Sequence, residues 1–563
     1  MKAKLYLVLI VLIFLAVRLS AQSHHAEWLE TIETNNHTNS HINNILHDGS
    51  DLIINGYYFG SGDFLGIELP WAVGANAVIS KFTTEGEPIW TTCLTGNDID
   101  VFYDMVIDND NNIILTGWTS STDTIRLNGE PVIYNNGLYL NHGMVMKISS
   151  TDGSLIWFRH FAGEEYYTLN STKLAVDENN EIYVTGYYQT PFQLDQVSFP
   201  YEKIYGDNIF ILKLDAEGTA VWGQYLTTIS DGGWAMIRSI VSGSAAVYFS
   251  LEYFSPYIVN GEPLPYSGEY YWLALMKMSK ESGEITHVNA FGSDGGQVIQ
   301  DITADSEGNI LAVGVFTSET PLTIGDITLE GNGGNDGFIM KTDSELNNLW
   351  AKPMGGEYTD MAFNVNTDEN DRIYIGGGFD CYTEFTYDGE VVLPGRNPNS
   401  LSSFLVVTDE NGEFEHSFGM YGEGIESVIS FASAAVVNAN NQVNVYCAGN
   451  FYDNVEFVEN NVAYADHNTG YVYKWVLPLV VSAENQAANA QISIYPNPFT
   501  DYLMVNYQGG QARIDLYDQK GSLVLSQTIT EQGRFAVDHL KTGTYLLRLS
   551  TEKTVQTLKI IKN

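Results

Sequence analysis

A short apolar run ending in glycine recurs along this chain, and no other feature limits its fold as much. The run reads Leu52-Ile53-Ile54-Asn55-Gly56, Ile113-Ile114-Leu115-Thr116-Gly117 and Ile182-Tyr183-Val184-Thr185-Gly186. It returns as Ile310-Leu311-Ala312-Val313-Gly314, Ile373-Tyr374-Ile375-Gly376-Gly377 and Val445-Tyr446-Cys447-Ala448-Gly449, with a degenerate copy, Ala246-Val247-Tyr248-Phe249-Ser250. The seven copies end 61 to 72 residues apart. A fixed period of this kind means one supersecondary unit stacked on copies of itself.

Each repeat reads as four short strands. The first ends in Asp, as in Met105-Val106-Ile107-Asp108, and an Asp/Asn/Gly turn follows. Such residues adopt turn angles at little cost. The second strand is the glycine-ended run. A long connection then carries its own turn, such as Asn128-Gly129, Asn260-Gly261 or Asp388-Gly389. The third strand alternates, as in Met144-Val145-Met146-Lys147-Ile148, and the fourth carries Trp90, Trp157, Trp222 or Trp350. Period-two patterning with β-branched and aromatic residues predicts strand throughout.

The chain ends select a closed ring over an open solenoid. The seventh repeat has a third strand, Tyr471-Val472-Tyr473-Lys474-Trp475, but no fourth, while the N-terminus offers an orphan fourth strand, Glu27 to Glu33, with Trp28 in the tryptophan slot. Pairing the first strand into the last repeat removes exposed edges. The expected fold class is therefore all-β: a seven-bladed β-propeller with four-stranded blades over residues 22–480, closed by the N-terminal strand. The motifs Asp-x-x-x-x-Ile-Tyr-Val-Thr-Gly (from Asp177) and Phe-Ile-x-Lys-Leu-Asp-x-x-Gly-x-x-x-Trp (Phe210 to Trp222) resemble the bacterial β-propeller repeat family. That resemblance speaks to fold and hardly to function.

The first residues, Met1-Lys2-Ala3-Lys4, precede an apolar run from Leu5 to Val17 and small residues to Ala21. This predicts a secretory signal peptide over residues 1–21. The run is too short for a membrane span, which needs about 20 apolar residues. Lys and Arg total 26 against 69 Asp and Glu, a net charge of −43. Nucleic acid and anionic lipid are poor partners for such a surface; a glycan, a peptide or a cation remains open as ligand. Six lysines share one third-strand slot: Lys81, Lys147, Lys213, Lys277, Lys341 and Lys474. They are expected to lay their stems between blades and to pair with the turn aspartates Asp108, Asp177, Asp305 and Asp368. Cys93, Cys381 and Cys447 read as buried thiols, with a Cys381–Cys447 bridge as the alternative.

Residues 481–490 are small, polar and unpatterned, and predict a linker. From 491 to 563 a new pattern of strands fits a small Ig-like β-sandwich. Its residues Tyr495-Pro496-Asn497-Pro498, Leu516-Tyr517-Asp518, Gly543-Thr544-Tyr545-Leu546 and Lys559-Ile560-Ile561-Lys562 resemble the type A C-terminal sorting domain of type IX secretion cargo in Bacteroidetes-like bacteria. The resemblance implies passage through the periplasm, recognition by the type IX machinery, removal of the tail, and release or tethering to surface lipopolysaccharide.

Metal, nucleophile and phosphate-loop signatures are missing from the sequence. Asp108, Asp110 and Asn112 resemble half of a calcium loop but lack its Gly and Glu, so turn chemistry suffices and calcium is the weaker alternative; no other cofactor is expected. His24, His25, His37, His41 and His47 cluster near the N-terminus and read as a polar segment rather than a metal site. In a four-stranded blade, the blade-to-blade loops and the connections between second and third strands share one face. The candidates on that funnel are Asp98, Asp100, Glu164, Glu165, Trp234, Asp294, Glu357, Asp360, Glu423 and Glu426. Carboxylates among aromatics suit a glycan or a cation. The leading expectation is a secreted or surface-bound binding protein without catalysis; the alternative is a secreted carbohydrate-active enzyme, a glycosidase or lyase, using funnel carboxylates.

Overall fold

A computed structural model describes residues 26–562 except 35–38, 134–140, 164–167, 202–205, 230–231, 268–269, 293–294, 396–400, 423–428, 438–441, 457–461, 479–491, 496–501, 518–522, 538, 542 and 551–554. Every regular element among the described residues is a β-strand. The chain divides into two compact bodies, one holding Met1–Ala439 and Val443–Val476, the other Leu477–Asn563 with a short excursion at 440–442.

In the first body each repeat forms an antiparallel four-stranded sheet. Repeat two is representative: Asp100–Ile107, Asn112–Thr119, His142–Ser149 and Leu155–Phe161 pair in that order. In repeats one, two, three, five and six an aspartate after the first strand turns the chain: Asp48, Asp108, Asp177, Asp305 and Asp368. Asp108 Oδ1 accepts the backbone N–H of Asp110 at 3.0 Å and of Asn112 at 2.7 Å, and Asn111 sits at φ 61°. The first strands of consecutive repeats lie against one another, and that of repeat seven (Ile429–Val437) lies against that of repeat one (Ser40–His47). The N-terminal strand Ala26–Thr34 is the fourth strand of repeat seven, with Leu29 opposite Tyr473 and Thr31 opposite Tyr471.

The long second-to-third connections are themselves hairpins. Their outer strands add to the fourth strand of the preceding repeat: Leu127 pairs with Leu94, Ile258 with Thr227, Tyr387 with Met354, and Phe64 with Ile32. Edges that would be open are thereby covered. Buried apolar side chains gather between consecutive repeats. Phe161 packs with Val184 and Phe210, Leu251 with Tyr183, Phe291 with Phe338, and Tyr446 and Val472 with Ile54 and Val78, so repeats seven and one share a core.

The slot lysines follow a rule that the repeat pattern alone does not predict. Lys147 meets Asp108 at 2.7 Å, Lys341 meets Asp305 at 2.8 Å, and Lys81 meets Asp48 at 2.6 Å. Opposite these lysines stand Ile114, Leu311 and Ile53. Opposite Lys213 stands Tyr183, whose hydroxyl donates to Asp177 at 3.1 Å, and Lys213 turns to Glu181 at 2.6 Å. Tyr248 stands opposite Lys277 and Lys474 lies over the Tyr446 ring, and these lysines reach Glu345 (2.6 Å) and Glu85 (3.1 Å) of the neighbouring repeat. The expected partnership of Lys213 with Asp177 is thus corrected: a tyrosine hydroxyl occupies that carboxylate. In repeat six the slot holds Val407, and the hydroxyl of Tyr374 donates to Asp368 at 2.9 Å. Cys93, Cys381 and Cys447 are buried thiols joined by no disulfide.

In the second body, Ile492–Tyr495, Tyr502–Tyr517, Gly543–Ser550 and Val555–Lys562 pair in order, and Leu523–Ala536 pairs with Tyr502–Tyr517. Leu503, Val505, Ile514, Leu516, Phe535, Leu547 and Leu549 form its core.

Candidate functional site

Every first strand of the first body carries a register shift at one equivalent place: Ile42/Asn44, Phe102/Asp104, Ser171/Lys173, Ile237/Ser239, Ile299/Asp301, Ala362/Asn364 and Ser430/Ala432. A β-bulge places two residues against one and re-aims side chains. Because these strands contact one another around the body, the bulge repeats one position from sheet to sheet, polar in every repeat but the seventh, where it is Ala432.

At that level Asp104 Oδ2 accepts the N–H of Leu174 at 2.9 Å, and Asp301 Oδ2 accepts that of Val365 at 3.1 Å. Each aspartate so bonds the next repeat's strand just past its bulge. Ser239 donates to Asp301 at 2.7 Å, and Lys173 Nζ stands 4.0 Å from Asp104. Burial pushes both carboxyls up, and Lys173 pulls both back down. The bulged residue itself is Tyr103 in repeat two and Arg238 in repeat four. Tyr57 is pushed up to about 12, first by burial and then by Tyr103. Arg238 Nε donates to Glu252 Oε2 at 2.7 Å; the arginine side chain is 32% exposed and the glutamate 3%.

Repeat four also carries an aromatic cluster at the loop end of its sheet. Trp234 lies edge-on to Tyr271 at 5.4 Å, Phe254 lies 5.3 Å from Tyr271, and Tyr266 lies 5.9 Å from Phe254. Phe254, Tyr270 and Tyr271 remain substantially exposed. The carbonyl of Tyr271 accepts from the Gln297 side chain of repeat five, which fixes the segment.

Of the sequence-derived funnel residues, Asp98 and Glu357 are exposed in loops and Trp234 is half-buried within the cluster. Asp100 and Asp360 begin first strands and are buried rather than open to solvent. Thr119 and Ser121 donate to the two oxygens of Asp100 at 2.5 and 2.9 Å, while Gly356 and Asp380 donate backbone N–H groups to Asp360 at 2.6 and 3.1 Å. Burial pushes both carboxyls up to about 7. Asp336, also buried, is pushed up to about 6, and its Oδ1 has no hydrogen-bond partner among the described residues. Glu164, Glu165, Asp294, Glu423 and Glu426 lie outside the described residues.

The half calcium loop is a turn with its carboxylate engaged: Asp108 is held by Lys147 and two turn amides, and Asp110 accepts from Asn180 at 2.8 Å. Among the described residues no group of three or more His, Cys, Asp or Glu is placed to hold a metal ion. His41 stacks on Tyr57 at 4.7 Å, and burial pushes His41 and His47 down. A cleft of about 380 Å³ at the closure seam is lined by Glu30, Glu33, Asp63, Glu85 and Glu87. Asp104, Lys173, Arg238, Glu252, Phe254, Tyr271 and Asp301 were missed from sequence. A signal was present for the first-strand members: Phe102-Tyr103-Asp104-Met105 and Ile299-Gln300-Asp301-Ile302 place two residues where strict alternation allows one.

In the second body Tyr495 pairs with Met504, Gly543 with Lys562, and Leu546 with Lys559; the Tyr545 hydroxyl donates to the Lys541 carbonyl at 2.7 Å. Pro496, Asn497 and Pro498 lie outside the described residues. Residues 493–563 match the family model of the secretion system C-terminal sorting domain. The tail is a type IX sorting domain. It marks the chain for export out of the cell, secreted or surface-attached, through interaction with the type IX machinery.

For the rest of the chain the similarities are distant. An uncharacterized WD repeat-containing protein of Acanthamoeba polyphaga mimivirus is 20% identical over 470 residues, covering 70% of this chain; the chain spans about a third (33%) of that relative's length. A Dyadobacter fermentans protein of unknown function is 11% identical with a TM-score of 0.32, over 66% of this chain and 93% of its own. A Synechocystis apocarotenoid oxygenase is 10% identical with a TM-score of 0.33, over 92% of this chain and 97% of its own. Likeness at this level carries no functional argument.

Proposed function

We propose that this chain is a seven-bladed β-propeller with an Ig-like sorting tail, exported from a Bacteroidetes-like bacterium, whose loop face binds a glycan without turning it over. A signal peptide over residues 1–21 would take it to the periplasm, the tail would pass it through the type IX system, and the propeller would be released or tethered to surface lipopolysaccharide. The closed order of first strands and the shared core of repeats seven and one support the propeller reading.

The observation that carries binding over catalysis is what the loop face exposes. The carboxylates described at strand starts there, Asp100 and Asp360, are buried with both oxygens engaged by donors. Besides Asp98 and Glu357 in loops, the face exposes rings: Phe254, Tyr270 and Tyr271. Aromatic faces suit the apolar face of a sugar, whereas glycoside hydrolysis needs two carboxylates roughly 5–9.5 Å apart and open to substrate. One observation favours the enzyme instead. Asp336 and Asp360 approach the same residue, Gly355; burial raises both, and Asp336 raises Asp360 further, as a general acid requires.

The test is a glycan and divalent-cation binding screen of the purified full chain, with turnover of each bound glycan followed over hours. Binding without turnover supports the proposal. Turnover lost in Asp360→Asn would make the protein an enzyme.

A further inference from the structure

Repeat four departs from the pattern where the loop face is richest. It has Ser250 for the marker glycine, His287 for the fourth-strand tryptophan, and a partly exposed guanidinium on the sheet whose loop end carries the exposed rings. The ladder sets the order on one face of its sheet. Trp234 stands opposite Phe254, and Met236 opposite Glu252. Cross-strand partners share a face, and residues two apart on a strand share it too. Phe254 and Glu252 are therefore successive side chains on that face, about 7 Å apart. Arg238, one step below at the bulge, reaches up to Glu252.

The bond to Glu252 engages Nε of Arg238. The terminal amino groups, half of the fork that matches a carboxylate, make no hydrogen bond among the described residues. A buried acid that holds one edge of a guanidinium presents the other edge in a fixed orientation. In a chain with 26 basic against 69 acidic residues, such a group on the sheet that carries the aromatic cluster is a specific feature. A cationic ligand would meet repulsion from it, and a neutral sugar would bring no carboxylate to match its outer edge.

We propose that this face of repeat four binds a glycan bearing a ring carboxylate, a uronic acid: the apolar face of the pyranose stacks on Tyr271 and Phe254, and the carboxylate accepts from the terminal amino groups of Arg238. The inference rests on the glycan-binding reading above and names its ligand class. Gln297 of repeat five, donating to the Tyr271 carbonyl, holds the aromatic wall in place before the ligand arrives.

The test is titration calorimetry of the full chain with tetragalacturonate and with its carboxyl-reduced neutral counterpart. The uronate is expected to bind tighter by about tenfold or more, the worth of a charge-assisted pair. Tyr271→Ala is expected to weaken both ligands. The paired change Arg238→Gln with Glu252→Gln, which leaves no buried charge behind, is expected to erase the difference. Arg238→Lys keeps Glu252 paired but loses the fork; it is expected to lose most of the preference and serves if the double variant does not fold. Equal affinity of the native chain for the two ligands overturns the carboxylate assignment and leaves glycan binding standing. A preference that survives in these variants overturns the role of Arg238. Binding of neither ligand overturns this inference, and a blank screen against all glycans overturns the reading beneath it.

Discussion

The indole of Trp350 lies over Gly412 of the following repeat, so close that a Cβ on that glycine would stand 2.7 Å from the ring. Trp157 covers Gly218 and Trp222 covers Gly283 in the same manner. Where the fourth strand has His287 instead, the matching turn position of repeat five is Leu346, at φ 63° and 4% exposed. An imidazole is smaller than an indole, and the leucine that stands where those glycines stand holds a left-handed backbone and packs into the core with Leu273 and Leu275.

Gly412→Ala should therefore cost more than Gly308→Ala. Both glycines have positive φ, +76° and +82°, but nothing lies within 4 Å of a Cβ at Gly308. The open site should lose about 1 kcal/mol from backbone strain alone. The covered site should lose about 1–3 kcal/mol more from overpacking. Urea unfolding midpoints of the two variants check the difference.

His287→Trp alone is expected to destabilise by about 1–3 kcal/mol through overpacking against Leu346. Combined with Leu346→Gly, the loss should shrink, with a coupling of about 1 kcal/mol. A double-mutant cycle on unfolding free energy measures it; strict additivity would show that the two positions do not communicate.

Asp336 gives a pH dependence with a definite sign. Its folded pKa is raised to about 6, and that of its neighbour Asp360 to about 7, above the unfolded value near 4. A raised acid contributes stability that is fully present below the unfolded value and is lost as pH rises through the folded one. Asp336→Asn keeps one oxygen to accept from Asn332 and replaces the orphan Oδ1 with a neutral group. It should be near neutral at pH 4 and stabilising by about 1 kcal/mol at pH 8, read from melting curves across that range.

Lys173 is a cation among the described groups at the bulge level, and it pulls both raised carboxyls, Asp104 and Asp301, downward. Lys173→Met removes that pull, so both acids rise further and stability falls more steeply with pH. The variant is expected to match the parent most closely near pH 4 and to lose about 3 kcal/mol at pH 8. Parallel melts at the two pH values decide it; a constant offset would mean that the lysine acts only through packing.

Deleting residues 493–563 should hold the protein inside the outer membrane of a host with type IX export, because those residues are its sorting tail. Cell fractionation with immunoblotting reads the outcome. Appearance of the truncated chain in the medium would show a second export signal.

Much of the architecture was legible in the sequence because repetition and alternation are local properties. Six glycine-ended runs and one degenerate copy, the Asp turns and the tryptophan slot each follow from neighbouring residues obeying strand and turn chemistry, and the sorting tail announced itself through its own motifs. The partners of those residues were not legible. The destination of Lys213 depended on Tyr183 across the sheet, and Leu346 holds a left-handed turn position that glycine holds in other repeats. Asp104 and Asp301 acquired meaning only when their bulged strands were brought side by side, and Asp100 and Asp360 proved to be buried ties rather than open funnel groups. Sequence by itself determined the strands, their order and the export route. Tertiary structure decided which side chains meet, because the contacts that set charge, burial and exposure join residues about one repeat apart, where no local pattern reaches.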